Sequence, residues 1–309
     1  MLDRLVGLMQ QSLNWLEIEP VERAARSRKS RGWGIETLEP RQLLSASGSG
    51  HSASEMHLVT PKILNGTPTD GFSSVALVGN DLGYFGSGTL IAPQWILTAA
   101  HVSDGLPPTE ARVEIAGKTY LVEEIDIHPD YNSRRFNTNK ANDLALWKLS
   151  EPVEGVDPSP IYREKPRVGT LLTLVGYGAG GTLDGEDPND FGTKRVGTTP
   201  LEKVTSTRLR WVFNQPTDSN TGHGDSGGPA FIKVGVTYFV AGVTSGGTRN
   251  NSGRGDHSFD TRVDAYRNWI DNVMNGAFAN VQQARGARVV HRHAATVQDA
   301  VMSDIVPHL

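Results

Sequence analysis

Short apolar runs separated by polar turns fill the chain from Phe72 onward, and this pattern predicts an all-β protein. Ala111–Ile115 and Lys118–Ile127 flank a two-residue turn, which is typical of a β-hairpin. The stretch 179–192 is rich in Gly and Asp and is predicted to be a loop. Late in the chain, 264–275 has apolar residues at helical spacing. Many strands with one late helix predict two antiparallel β-barrels and a closing helix, with a site between the barrels.

Two of the predicted strands adjoin residues that can carry chemistry. Gly88–Ile91 and Trp95–Ala100 predict a hairpin that delivers His101 at its end. The run Leu144–Leu149, directly after Asp143, is apolar without clear alternation. Such a run predicts a strand that is covered on both faces.

The composition divides the chain into a leader, one folded region and a tail. Residues 1–62 contain a basic run and a Gly/Ser-rich linker, and predict a largely disordered leader or propeptide. Barrel one is expected at about 63–150 and barrel two at about 168–263, joined by a proline-rich crossing segment. The helix at 264–275 closes the domain, and 276–309 is a tail of unassigned role.

Charge and cysteine content exclude several functions. A net charge of −4 gives no basis for nucleic-acid binding, and no apolar run is long enough to span a membrane. The absence of cysteine excludes disulfides, cysteine-based zinc sites and a thiol nucleophile. No His-Glu-x-x-His motif occurs, and an isolated pair such as His291 and His293 is not a metal site. The sequence therefore predicts neither a metal nor another cofactor.

A glycine-rich loop, Gly224–Pro229, presents Ser226 in a setting that suits a nucleophile. Such a serine needs a neighbouring base and backbone N–H groups aimed at the oxyanion. A histidine (His101) and a carboxylate (Asp143) precede it, each inside an extended apolar block. Taken singly, these residues could be a core histidine, a turn residue and a loop serine.

The order His, Asp, Ser and the three sequence blocks resemble the trypsin/chymotrypsin-like serine proteases over about 63–275. The resemblance implies two six-stranded barrels and hydrolysis of protein or peptide substrates. It assigns Ser226 as nucleophile, His101 as base and Asp143 as the residue that orients the base. The N–H groups of Gly224 and Ser226 would form the oxyanion hole.

The same resemblance implies a substrate pocket. Its expected residues are Asn220, Thr221, Ser245, Gly247 and Ser258. Asn220 stands at the floor position, where members that cut after basic residues have aspartate, so a neutral or polar preference is expected. Asp260, close by in sequence, could supply a charge if the alignment of this loop shifts by a residue or two.

Many members of the family are made as zymogens, and three residues here match that mechanism. Cleavage after Lys62 would free the amine of Ile63, which would pair with Asp225 and assemble the oxyanion hole. An unpaired buried aspartate would otherwise carry a large desolvation cost. An activating protease is therefore an expected partner, although Lys62–Ile63 could also be an ordinary entry into a strand.

The leader gives two opposite indications about export. It lacks the apolar core of an ordinary signal peptide. However, Leu38–Ala46, behind a basic run, resembles a short N-terminal motif of exported planctomycete proteins. A secreted or extracytoplasmic protein is therefore expected, with a disordered basic tail as the alternative.

Two other functional classes compete with the protease hypothesis. Some relatives with this fold have lost activity and act as binding modules, although these usually have a broken triad. An esterase of the Gly-x-Ser-x-Gly kind would need the order Ser, Asp, His and alternating helices, and neither is present.

Overall fold

The structure, a computed structural model, describes residues 63–135, 138, 141–187 and 189–276. Its strands are β1 (Thr67–Pro68), β2 (Val75–Asn80), β3 (Gly83–Ala92), β4 (Trp95–Thr98), β5 (Ala111–Ile115), β6 (Lys118–Ile127), β7 (Ala145–Leu149), β8 (Leu171–Gly176), β9 (Gly180–Thr182), β10 (Gly185–Asp187), β11 (Arg195–Pro200), β12 (Lys203–Val204), β13 (Arg208–Phe213), β14 (Pro229–Val234), β15 (Thr237–Gly246) and β16 (Asp256–Arg262). Its α-helices are α1 (Ala100–Ser103) and α2 (Val263–Met274), and a 3₁₀ turn occupies Ser133–Arg135. The all-β class with a closing helix is confirmed.

The first half of the described chain is a closed six-stranded barrel with the order β2-β3-β4-β7-β6-β5. Strand β5 alternates between buried and less buried residues, and it buries Ala111, Val113 and Ile115 on one face. Strand β7 instead buries nearly every residue, including Trp147, because one face meets the barrel core and the other is covered by neighbouring segments. The expected hairpin of β5 and β6 and the expected doubly covered strand are both present.

The second half is an eight-stranded antiparallel sheet with the order β1-β11-β8-β14-β15-β16-β13-β12. Two of these strands, β1 and β12, have only two residues each, and the second core is built mainly from β8, β13, β14 and β15. That core contains Leu172, Leu174, Leu209, Trp211 and Ile232.

The loop expected at 179–192 contains regular structure. Strands β9 and β10 form a small separate hairpin in which Glu186 lies opposite Gly181. Glycines at 181 and 185 allow this pairing, since a side chain on Gly181 would collide with the backbone of Gly185 at 2.3 Å. Composition alone favours a loop, because these short strands have no apolar face.

Helix α2 closes the fold against the first barrel. Its apolar face buries Tyr266, Trp269, Ile270 and Val273. The rings of Tyr266 and Trp269 lie 5.0 and 5.1 Å from the ring of His128 in the segment after β6. In the part of the chain that the structure describes, no helix is long and apolar enough to span a membrane.

Candidate active site

Two of the predicted catalytic residues, His101 and Asp143, contact each other directly. Asp143 Oδ1 accepts the backbone N–H of His101, and Asp143 Oδ2 lies 2.8 Å from His101 Nδ1; the backbone contact is also 2.8 Å. Ser245 donates its hydroxyl to the same Oδ2 at 2.6 Å. The carboxylate is buried and fixes the imidazole in one orientation, with Nε2 as the ring nitrogen on the other side.

The segment that carries His101 is anchored from below. His101 lies in the single turn α1, whose Ser103 accepts a hydrogen bond from Trp147 Nε1 at 2.8 Å. Ser103 in turn donates to the carbonyl of Ala99 at 3.0 Å. Strand β4 ends at Thr98, two residues earlier than expected, because the chain turns into α1 to make these bonds. Strand β7, through Trp147, therefore supports the turn that holds His101.

Asp143 is held by the elements on either side of it. The preceding Asn142 has a left-handed φ of 49° and accepts the Tyr266 hydroxyl of α2 at 2.7 Å. Asn142 also donates its amide to the carbonyl of Asp130 at 2.8 Å. The carbonyl of Asp143 accepts the hydroxyl of Thr261 at 2.9 Å. Both barrels and the closing helix thus fix this carboxylate.

Burial and charge oppose each other in this pair. Burial alone would raise the pKa of Asp143, but the positive charge and hydrogen bonds of His101, with that of Ser245, hold it below its usual value. Burial alone would lower the pKa of His101, but Asp143 raises it above the ordinary histidine value. The pair therefore favours ionised Asp143 and readily protonated His101.

Ser226 reaches the same site through its backbone. Its carbonyl accepts the N–H of Ser87 in β3 at 2.8 Å. The next residue, Gly227, has a φ of 83°, and a side chain there would meet Thr98 Oγ1 at 2.1 Å and the N atom of Ala99 at 3.0 Å. Only glycine allows the loop to pack this closely on the end of β4. The packing places Ser226 beside the segment that leads into His101.

Two backbone N–H groups of the loop that carries Ser226 find no acceptor among the described residues. The carbonyls of His223 and Gly224 accept bonds from Ala179 N at 2.7 Å and Ser87 Oγ at 3.0 Å. Within the described residues, the N–H groups of Gly224 and Ser226 donate to no protein acceptor. Unpaired N–H groups in a glycine loop form a site for an oxyanion.

Asn220, expected at the pocket floor, is buried, and its amide contacts four neighbouring groups. Its Oδ1 accepts Trp211 Nε1 at 2.9 Å and lies 2.6 Å from the Ser258 hydroxyl. Its Nδ2 donates to the carbonyl of Ser252 at 2.8 Å and to Asp256 Oδ2 at 3.0 Å. Both donor hydrogens and one acceptor position of the amide are therefore bonded, and the second acceptor position faces the Ser258 hydroxyl. A buried, uncharged amide thus stands at the position expected for the pocket floor.

Sequence reasoning did not identify Asp256, which organises the pocket wall. Its Oδ1 accepts the N–H groups of Thr248 and Arg249 at 2.6 and 2.9 Å. Its Oδ2 accepts Asn220 Nδ2 and lies 2.7 Å from the Ser258 hydroxyl, whose single proton can serve only one acceptor at a time. The only signal in the sequence was a carboxylate at the start of β16.

The remaining pocket residues lie around this network. Thr221 and Ser258 are buried beside Asn220, and the Ser245 hydroxyl donates to the Asp143 carboxylate. Gly247 faces Asp256, since a side chain there would meet Asp256 Oδ2 at 2.3 Å. The structure therefore brings all five expected pocket residues to the end of the second sheet that carries the nucleophile loop.

Asp260, considered above as a source of charge, lies in β16 opposite Leu209 and Thr244. It is completely buried, and neither carboxyl oxygen has a hydrogen-bond partner among the described residues. Burial raises its pKa well above the usual value, because the charged form is the one that burial disfavours.

Of the expected activation residues, the structure describes Ile63 and Asp225; Lys62 lies outside the described residues. Ile63 is buried with a left-handed φ of 41°, and the next residue, Leu64, forms a β-bridge with Asn220. Asp225 accepts the N–H groups of Gly178 and Gly222, both at 2.8 Å. Burial nevertheless raises the pKa of Asp225 to about 7.

A closed antiparallel barrel, a second antiparallel sheet and a C-terminal helix are the features of the chymotrypsin-like fold. The buried His–Asp pair lies beside a glycine-rich loop that carries a serine, as in the serine proteases with that fold. The trypsin family matches residues 63–270, which is more than half of the chain. The chain therefore belongs to the trypsin family.

Curated relatives agree with this assignment. Tryptase of Mus musculus is 32% identical over 239 residues, covering 65% of this chain and 83% of tryptase. Kallikrein 1-related peptidase b24 of Mus musculus is 29% identical over 218 residues, covering 62% of this chain and 81% of the relative. Glandular kallikrein-10 of Rattus norvegicus is 27% identical over 219 residues, covering 62% and 81%.

Proposed function

We propose that this member of the trypsin family is a serine endopeptidase that hydrolyses peptide bonds through Ser226, His101 and Asp143. Ser226 attacks the scissile carbonyl while His101 Nε2 takes its proton. His101 then donates that proton to the leaving amine, and water releases the acyl group by the reverse steps. Asp143 holds the imidazole in the required tautomer and stabilises its cation. Protein or peptide substrates are the partners.

The observation that carries the proposal is the double engagement of His101 by Asp143. The backbone N–H and Nδ1 of His101 are both held at 2.8 Å, so the imidazole cannot rotate without losing the Nδ1 bond. A histidine that served only packing would not require a buried, ionised carboxylate, because such a charge is costly to bury. The Ser226 hydroxyl is expected to align with Nε2 when substrate binds, since catalytic hydrogen bonds often tighten only in the complex.

The unpaired N–H groups of Gly224 and Ser226 supply the second requirement. They would donate to the oxygen that becomes negative when the carbonyl is attacked. Losing one donor of this kind typically costs about 10²–10³ in rate.

A neutral or polar residue preceding the cut bond is the preference that the pocket supports. The Asn220 amide carries no charge and is already engaged by neighbouring groups, and burial disfavours the charged form of Asp260. Thr221, Ser245, Gly247 and Ser258 complete the pocket in this proposal. Efficient cleavage after arginine by purified, activated protein would contradict it.

We further propose that the chain is a zymogen activated by cleavage after Lys62. The left-handed φ of Ile63 disfavours a β-branched residue, so cutting the preceding bond would release backbone strain. The new amine would pair with Asp225, whose raised pKa indicates a buried carboxylate lacking a sufficient counter-charge. The leader motif supports export, so the activating protease is expected outside the cytoplasm.

Labelling with a fluorophosphonate probe tests these proposals. The full chain and a form that begins at Ile63 are compared, with Ser226→Ala as the control that must not be labelled. Labelling only of the form beginning at Ile63 would support both the nucleophile and the zymogen mechanism. Labelling of both forms would retain the protease and reject activation. A folded protein that is labelled in neither form would favour a catalytically silent binding module.

A further inference from the structure

We propose that Glu186, in the β9–β10 hairpin, is a positioning residue that holds the nucleophile loop, with its Gly224 N–H, in the active arrangement. It would do so by fixing the backbone of His223, the residue before Gly224. The inference rests on the proposed peptidase function, which makes the Gly224 N–H an oxyanion donor.

Three donors converge on this one carboxylate. Glu186 Oε1 accepts the backbone N–H of His223 at 3.0 Å and the hydroxyl of Ser252 at 2.6 Å. Glu186 Oε2 lies 2.7 Å from His223 Nδ1. The Glu186 side chain is only 13% exposed, whereas the imidazole of His223 is 68% exposed. A single buried carboxylate thus joins three segments: the β9–β10 hairpin, the nucleophile loop and the loop before β16.

The hairpin is itself fastened to the loop before β16, so Glu186 is held from behind. The N–H of Glu186 donates to the carbonyl of Asn251 at 3.0 Å, and the N–H of Arg254 donates to the carbonyl of Leu183 at 2.7 Å. Gly222 provides the space on the other side, because a side chain there would meet Glu186 Oε1 at 2.9 Å. The carboxylate therefore occupies a site built from all three segments.

Peptide geometry connects this contact to the oxyanion hole. The carbonyl of His223 and the N–H of Gly224 belong to one planar trans peptide and point in opposite directions. Ala179 N holds that carbonyl at 2.7 Å, so the Gly224 N–H is directed to the opposite side. Glu186 fixes the preceding peptide through the His223 N–H. With both peptides held, the Gly224 N–H cannot turn without breaking a bond.

Charge favours the contact. Burial alone would raise the pKa of Glu186, but the hydrogen bonds from His223 and Ser252 and the charge of His223 hold it below the usual value. The hydrogen bond that Glu186 accepts raises the pKa of His223, and the charge of Asp225 acts in the same direction. An ionised acceptor makes stronger hydrogen bonds than a neutral one, so the His223 N–H is held firmly.

The experiment separates the backbone contact from the imidazole contact. Glu186→Ala removes both, Glu186→Gln keeps an acceptor oxygen, and His223→Ala keeps the backbone N–H but removes the imidazole. Glu110→Ala removes the same type of side chain from an exposed turn of barrel one and serves as the matched control. Each change is made in the full chain, which is then activated as the wild type requires. A peptide substrate that the wild type cleaves gives kcat and KM, and thermal unfolding reports folding.

Glu186→Ala is expected to lower kcat by about 10- to 100-fold with KM changed less than about 3-fold, because an oxyanion donor acts in the transition state. Glu110→Ala is expected to stay within about 3-fold of wild type, and His223→Ala is expected to lose much less than Glu186→Ala, because it keeps the backbone N–H. Glu186→Gln is expected to recover most of the loss. If the alanine variant fails to fold, Glu186→Met, which keeps the length of the side chain but removes both carboxylate oxygens, replaces it in the comparison.

Three results would overturn the inference while leaving the peptidase intact: an unchanged kcat in Glu186→Ala, an equal loss in His223→Ala, or a folded glutamine variant as slow as alanine. A wild-type protein that cleaves no peptide and takes no fluorophosphonate would overturn both the inference and the proposed function.

Discussion

Asp143 engages His101 at two points, accepting its backbone N–H on one carboxylate oxygen and facing Nδ1 with the other, both at 2.8 Å. Asp143→Asn replaces one of the two carboxylate oxygens by an NH₂ group. In one amide orientation the NH₂ group faces the backbone N–H of His101, and in the other it faces His101 Nδ1 and the Ser245 hydroxyl. The imidazole would then favour the wrong tautomer. We expect kcat to fall by about 10⁴ with little change in KM.

The pH dependence of this pair gives a second readout. The neutral form of His101 is the active base, so kcat/KM should rise with pH through a midpoint above the ordinary histidine value. In Asp143→Asn that midpoint should move down, because the carboxylate that raised the pKa is lost. Asp157→Asn makes the same change on an exposed side chain and should alter neither value. An Asp143→Asn variant with wild-type kcat would refute the assigned role.

Gly227 and Gly235 form a matched pair for a prediction about crowding. Both have left-handed φ angles, 83° and 60°, but Gly227 packs against Thr98 and Ala99, whereas nothing lies within 4 Å of a side chain at Gly235. Gly235→Ala should cost only the conformational penalty, about 1 kcal/mol. Gly227→Ala adds a collision with backbone and should cost about 3 kcal/mol or more. Urea unfolding measures both values, and equal losses would contradict the packing described for the nucleophile loop.

Asp260→Asn should stabilise the protein at neutral pH. Asp260 is buried with its pKa raised well above the unfolded value, so the unfolded state releases its proton first as pH rises. The wild type therefore loses stability through this group above about pH 4, by about 1.4 kcal/mol per pH unit until the folded pKa is reached. Asparagine has no proton to release and avoids this loss.

The comparison requires unfolding free energies of wild type and Asp260→Asn at several pH values. The two proteins should differ most near neutral pH and should converge below about pH 4, where the carboxyl is neutral in both states. A variant that is less stable than wild type at pH 7 would show that the ionised carboxylate is favoured in the folded protein.

The turn between β5 and β6 is suboptimal and should accept a stabilising change. Ala116 and Gly117 both have left-handed φ angles, 51° and 76°, as a two-residue hairpin turn of type I′ requires. Alanine disfavours this region, whereas asparagine tolerates it. Ala116→Asn should raise the free energy of unfolding by about 0.5–1 kcal/mol, measured in urea. Ala116→Val should lower it, and the reverse order would contradict the turn geometry.

The sequence by itself determined the features that depend on neighbouring residues. The hairpin around Ala116, the doubly covered strand after Asp143 and the helix at 263–274 follow from periodicity and turn chemistry. The glycine loop around Ser226 was equally evident, because a crowded loop with positive φ angles can only be built from glycine.

Only the tertiary structure decided how distant segments meet at the site. The partners of Asn220, the role of Asp256 in the pocket wall and the contact between Glu186 and His223 join residues far apart in the chain. The strands of the hairpin that carries Glu186 have no apolar face, so the hairpin is held by hydrogen bonds to other loops and by one buried side chain, Leu183, at its turn. Periodicity records which face of an element is buried, but it contains no information about which polar groups from other elements will arrive there. The polar partners of a buried group depend on how the two sheets and their loops pack. A buried polar group must be hydrogen-bonded, and its partners are the groups that the fold places beside it.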